Sequence, residues 1–448
     1  MSFADGPQDE IRDEIRDEIQ DQSQDQSQDS ARTLERSGRD AARETGRTGE
    51  LPEIVVDART RGFLWQGEPV GGREFAAARH SLFDGMFTWP VMTARRSAID
   101  HNIATLAAFA DRHGLALAPH AKTTMSPQLV QAQLDAGAWG VTAATAGQVL
   151  VHRSFGVPRV LLANEILDRG ALRRLAAEIG HFDFLCYADS AEGVRALDET
   201  AGETPFRVLV ELGHPGGRTG CRNQDELLEV ARALRDAPGT EPAGVAGYEG
   251  TLGTADEVRA YLRDLARAAR AVASWVTGPL VVSAGGSSWF DLVAEELAPL
   301  AEELGATVVL RSGAYIAHDD GFYRETTPYN RLAGELRPAL EVWAQVLSVP
   351  EPGIVLVGMG KRDVPYDLHL PSPKAVRRGG LEPAEPLTGV TVVKLWDQHA
   401  YLSGDAGLRP GDLVSFGLSH PCTAFDKWRV IPVVDDDDVV IDLINTYF

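Results

Sequence analysis

Cysteine is scarce: the 448 residues hold three, Cys186, Cys221 and Cys422. An odd, widely spaced set builds no disulfide framework, which points to a reducing compartment. Long apolar runs are missing as well. No stretch approaches the roughly 20 residues a membrane helix needs, and no basic segment followed by an apolar core opens the chain. A cytoplasmic protein without membrane contact is the expectation. Positive charge is in deficit: 43 Lys and Arg against 65 Asp and Glu leave a formal charge of −22. That balance argues against nucleic acid as a partner, because phosphate backbones are gripped by clustered basic side chains. Small anionic ligands stay open, since a basic pocket can sit inside an acidic protein.

What is present is ordinary for a globular chain, with 44% hydrophobic and 24% charged residues. Residues 1–50 stand apart. Their four-residue DEIR-type repeat gives way to Gln, Ser and Asp, and one thin stripe of Ile11, Ile15 and Ile19 buries little. A disordered low-complexity tail is expected there. Residues 51–90 read as a lead-in that lends a strand to a later domain. Over 91–334, eight apolar strand candidates alternate with amphipathic helices: LALAP, WGVTA, RVLLAN, FDFLCYA, FRVLVEL, GVAGYE, LVVSAGG and TVVLRSG. Such alternation implies parallel strands, and eight in about 220 residues is the count of a (β/α)8 barrel. An open doubly wound sheet is disfavoured because no G-x-G-x-x-G follows the first strand. Residues 335–448 lose helical periodicity and read as an all-β domain.

In a barrel the chemistry sits past the C-terminal ends of the strands. After the first strand comes His120-Ala-Lys122-Thr-Thr. Lys122 is either an amine aimed into the mouth or a surface lysine at a helix start; position alone does not choose. After the fifth strand a glycine-rich turn ends at Arg218. Tyr248 follows the sixth, and Gly285-Gly286-Ser287 follows the seventh and opens a helix. Small residues at a helix start make an anion site of backbone amides. The eighth strand ends Arg311-Ser-Gly-Ala-Tyr315. In the β domain, His420 and Cys422 are two apart, on one face if the segment is extended. Imidazole plus thiolate is a zinc-type pair, with His399 or Asp426 as candidate third contacts. A lone His-x-Cys also occurs as plain structure.

In this order the motifs resemble the fold-type III pyridoxal-phosphate enzymes, in particular the D-serine dehydratase and D-threonine aldolase group. The resemblance spans roughly residues 80–448. It implies pyridoxal phosphate carried on Lys122 as the catalytic residue. His120, Arg218, Tyr248 and Tyr315 would lie around it, Gly285, Gly286 and Ser287 would cradle its phosphate, and Arg311 would face its ring nitrogen. It implies a divalent metal, zinc by the thiolate, on His420 and Cys422. The implied activity is dehydration of a D-amino acid such as D-serine to a 2-oxo acid and ammonia. The alternative is an aldolase releasing glycine and an aldehyde. A racemase, with His214 or Tyr315 as second base, and a cofactor carrier are further readings. Related enzymes are dimers, so a homodimer is expected.

Overall fold

A computed structural model describes residues 51–380 and 382–448. The tail read at 1–50 lies outside the described residues. Eight parallel strands form the barrel, running from Ala116–Leu117 through Val141–Ala143, Arg159–Glu165, Asp183–Ala188, Phe206–Leu212, Thr240–Gly247 and Val281–Ala284 to Thr307–Leu310. They lie in spatial order first, eighth, seventh, sixth, fifth, fourth, third, second. The ring closes where His120 bridges Thr142, and the Thr142 amide donates to Pro119 O at 2.8 Å. His120 is thus part of the closure as well as of the rim.

Strand residues alternate between two cores, as a two-residue period requires. Ala118, Leu161, Leu185, Leu209, Val281 and Val309 fill the interior. Their neighbours Val160, Leu162, Cys186, Val208, Val282 and Val308 pack outward against the helices. The helices begin where the sequence supplies a cap. Ser126, Thr145, Asp168, Ser190, Asn223 and Thr254 each accept a first-turn amide, which satisfies a donor the helix itself leaves open. Among the described residues, no helix is long and apolar enough to cross a membrane.

The C-terminal domain is a largely antiparallel sheet, and its composition corrects one expected boundary. The strand lent to it from upstream is Val91–Arg95, not a segment of 51–90. It pairs antiparallel with Leu340–Trp343 and parallel with Val433–Val434. The barrel begins only at the helix Arg96–Arg112. Residues 51–90 instead fold into a short strand pair and the helix Gly72–Ala77. Phe63, Phe75, Leu82 and Phe87 from this region bury against Trp343, Val430 and Leu443 of the sheet. Apolar packing joins the lead-in to the β domain, together with one antiparallel bridge between Ser81 and Val439, where Leu82 N donates to Asp438 O and Val440 N to His80 O.

One barrel helix carries a mismatch. His152 on Ala146–Ser154 is 1% exposed, with no partner for either ring nitrogen among the described residues. Burial lowers its pKa from 6.5 to about 4, because desolvation penalises the imidazolium. The unfolded chain therefore binds a proton that the folded chain refuses between these values, and stability falls as pH drops through that window. At pH 5 the loss is roughly 2 kcal/mol. Urea unfolding at pH 7 and pH 5 checks this: His152→Leu should lose markedly less stability than the parent over that interval.

Candidate active site at the barrel mouth

The strand alternation that fills the interior also decides which polar groups meet at the C-terminal rim. Counting two residues on from Ala118, Leu209, Val281 and Val309 reaches His120, Glu211, Ser283 and Arg311. Four on from Leu161 reaches Glu165. The mouth is therefore divided. Carboxylates come from the third and fifth strands, with Asp189 just past the fourth. Cations come from the ends of the first and eighth, with Arg218 on the turn after the fifth.

On the cationic side, burial lowers the pKa of Lys122. Cys422 offsets part of this, while Arg218 and Arg311 add to it. Arg311 is 6% exposed and donates to Ser283 Oγ at 2.7 Å and Gly247 O at 2.6 Å, both neutral acceptors. Arg218 lies over the Tyr248 ring, 4.2 Å from its centroid, and Arg222 pins the turn that carries it through carbonyls of Arg218, Thr219 and Gly220. Among the described residues, Lys122, Arg218 and Arg311 enter no ion pair. His120 is driven well below its usual pKa by burial and then by Lys122 and Arg311, and its Nδ1 has no partner. Two guanidinium groups and a lysine whose pKa is lowered, with no ion pair among the described residues, suit an anionic, phosphorylated aldehyde whose carbonyl the amine can reach.

The glycine turns are close-packed. A Cβ on Gly313 would lie 2.7 Å from His120 O and 2.9 Å from Thr123 Oγ1, so only glycine lets the eighth-strand turn touch the Lys122 loop. The amides of Gly285 and Gly286 are already engaged. They donate to the two oxygens of Glu249 at 3.1 and 2.6 Å, and Glu249 is fully buried. The turn is an anion nest, but a chain carboxylate fills its two glycine amides. Of the expected phosphate cradle, Ser287 stays half-buried beside them. Tyr315 is misplaced by the sequence reading. It is buried among the residues packed outside the barrel, with its hydroxyl bonded to Gln133 Nε2 at 2.9 Å, so neither a cofactor contact nor a second base is available from it. His214 bonds Thr251 Oγ1 through Nε2 at 2.9 Å, beside Arg218.

The His420–Cys422 segment is brought to the same rim from 299 residues away. Cys422 Sγ is 3.3 Å from Thr123 Oγ1. The segment is a left-handed residue (His420 φ 67°) leading into a 3-10 turn, not an extended strand. Its placement comes from Asp319. That buried carboxylate accepts from the amides of Gly321, Tyr323 and Arg324 on one oxygen and from His420 N, at 2.8 Å, on the other. Tyr323 then hydrogen-bonds Cys422. Neither expected third contact joins the pair: His399 caps a distant hairpin through its carbonyl, and Asp426 faces Lys427. Asp367 does meet His420, with Nδ1 to Oδ2 at 2.5 Å. Among the described residues, no cluster of three or more His, Cys, Asp or Glu side chains is arranged to hold a metal ion. Asp319, Glu249, Asp367 and Tyr323 had no motif to announce them.

Comparison with known proteins agrees with this geometry. Residues 95–297 match the alanine racemase N-terminal domain, and residues 339–434 match the putative serine dehydratase domain. Both matched domains are of the kind found in fold-type III pyridoxal-phosphate enzymes, which this chain resembles in fold and domain order. It is 26% identical to a D-threonine aldolase of Arthrobacter over 335 residues, 72% of this chain and 82% of that protein. It is 27% identical to a D-threo-3-hydroxyaspartate dehydratase of Delftia over 226 residues, 49% and 59% of the two chains. The structure of D-threonine aldolase from Filomicrobium marinum superposes with a TM-score of 0.68 at 22% identity, covering 80% of this chain and 94% of that one. Solved forms of D-threo-3-hydroxyaspartate dehydratase include a histidine-to-alanine variant and a metal-free cysteine-to-alanine variant, at positions two apart. The chain is an enzyme of the pyridoxal-phosphate-dependent lyase type.

Two predictions follow from the rim. Burial, then the neighbouring Glu211 carboxylate, pushes Glu165 up to about 8 from 4.5. The folded state keeps a proton that the unfolded chain releases, so this group's contribution to stability falls as pH rises from about 4.5 to 8. Glu165→Gln should remove that part of the slope in urea midpoints taken at pH 5, 6.5 and 8. Asp319→Ala leaves four amides without their acceptor and should cost about 3 kcal/mol, read by the same unfolding assay.

Proposed function

We propose that the protein is a pyridoxal-phosphate- and metal-dependent lyase that dehydrates β-hydroxy-D-amino acids of the D-serine kind to a 2-oxo acid and ammonia. The observation carrying this reading is the meeting of Lys122, its pKa lowered, with Cys422 and His420 at one rim. Bound pyridoxal phosphate supplies the aldehyde that Lys122 and then the substrate amine engage, together with the electron sink for charge at Cα. Lys122 is the residue that would hold it. With its amine free, Lys122 Nζ would take the Cα proton as general base. Arg311, always protonated, would meet the cofactor's ring nitrogen and, having no proton to give up, would leave it unprotonated. Arg218, stacked on Tyr248, would form one wall of its pocket with that ring and shield it from water. Ser287 and the neighbouring turns would hold the phosphate end, while Glu249 braces Gly285 and Gly286.

His420 and Cys422 would hold a divalent cation, whose Lewis acidity suits a departing β-hydroxyl. The thiolate favours zinc over magnesium or manganese. Their spacing equals that of the histidine and cysteine replaced in the dehydratase variants. Two protein donors leave positions open for substrate oxygen, as a catalytic rather than a structural metal site requires. A retro-aldol reaction uses the same residues with cleavage of Cα–Cβ, and the likeness to D-threonine aldolase favours keeping it as the second reading.

Product analysis separates the two. D-serine, D-threonine and 3-hydroxy-D-aspartate are incubated with the purified protein, and 2-oxo acid plus ammonia is measured against glycine plus aldehyde. Dehydratase activity yields the first set; glycine as the dominant product would replace our reading with the aldolase. Lys122→Ala should lose the visible cofactor absorbance and lower turnover about 100-fold or more. An unchanged spectrum would remove Lys122 from its role.

A further inference from the structure

The contact between His420 and Asp367 has a geometry that a surface ion pair does not need. Asp367 comes from the exposed loop between Ile354–Val357 and Ser372–Arg377, and its side chain is 43% exposed. Exposed pairs contribute little to stability. Yet both of its oxygens are committed to the two ends of one turn. Oδ2 accepts from His420 Nδ1 at 2.5 Å, and Oδ1 accepts from Thr423 Oγ1 at 3.0 Å. Thr423 Oγ1 also reaches His420 O at 3.2 Å, and Asp319 holds His420 N from the opposite side. Backbone and ring of His420 are therefore clamped by separate carboxylates, and Cys422 stands between the clamped residues.

We propose that Asp367 is the positioning residue of the metal site: it fixes the His420 tautomer and ring plane from outside the coordination sphere. The proposal rests on the metal reading above. A neutral imidazole that donates Nδ1–H to a carboxylate must present its lone pair at Nε2. That is the form a cation binds, and the carboxylate makes the nitrogen a stronger ligand. A carboxylate on Nδ1 lies across the ring from Nε2, so Asp367 orients the ligand without being one. With only two side-chain donors at the site, the outer carboxylate would take over the rigidity that a third ligand would otherwise supply.

The test uses full-length protein loaded with pyridoxal phosphate, titrated with Zn2+ against a chromophoric chelator and, separately, with Co2+ to read the thiolate charge-transfer band. The parent should bind one equivalent. Asp367→Ala should bind 10- to 100-fold more weakly and shift the Co2+ band, with cofactor absorbance unchanged. Asp367→Asn, whose oxygen still accepts from Nδ1–H, should lose less, and it carries the test if the alanine variant does not fold. Affinity within twofold of the parent for both variants overturns the proposal while leaving the metal reading intact. Loss of binding as complete as in His420→Ala makes Asp367 a direct ligand and also overturns it. A parent that binds no stoichiometric metal overturns the metal reading itself, and the proposal with it.

Discussion

The carboxylate of Asp319 joins the two halves of the chemistry. It is 2% exposed, and it spends one oxygen on three amides following the eighth barrel strand and the other on the amide of His420. A charge buried at that depth is tolerable only when its acceptor capacity is filled by well-placed donors. Because the donors come from both domains, the requirement holds the β-domain turn against the barrel rim. The neighbouring Asp320 amide reinforces it by donating to Leu418 O at 2.8 Å. The amides of Tyr447, donating to Met125 O, and Asn445, donating to Gln128 Oε1, extend this seam toward the Lys122 loop.

The second organising fact is the segregation of charge around the mouth. Lys122 and Arg311 come from adjoining strands, while Glu165 and Glu211 flank Tyr187 on the other side. Parallel strands of fixed register place the rim residues at one height, so sequence position along each strand converts directly into position around the ring. An anion is attracted to one arc, and the opposite arc stores a shared proton. Glu249 then takes a share of the anion-binding capacity for the chain itself, by occupying the amides of Gly285 and Gly286.

Much of this was legible beforehand, for a definite reason. Alternating strands and helices declare themselves through local periodicity and through caps such as Thr254 with Glu257. A lysine two residues past His120 is an address on a rim once the strands are counted. The misreadings share the opposite property. Val91–Arg95 is a good strand with no local sign of which sheet takes it. Tyr315 lies four residues past Arg311, yet the intervening 3-10 turn Ala314–Ile316 rotates it into the outer core. The His420 segment was expected to be extended, but its left-handed residue and turn point its side chains by a different route.

The sequence alone determined the barrel, the second β domain and the arrival of Lys122, Arg218 and Arg311 at strand ends, because periodicity and strand polarity are written within each short segment. Tertiary structure alone decided which loops touch. Thr123 meets Cys422 from 299 residues away, and Asp367 meets His420 from 53. Such contacts depend on backbone paths and shared buried donors, which no local pattern encodes. The lysine and its barrel are therefore properties of the sequence. The histidine–cysteine pair becomes part of the same site only through the fold.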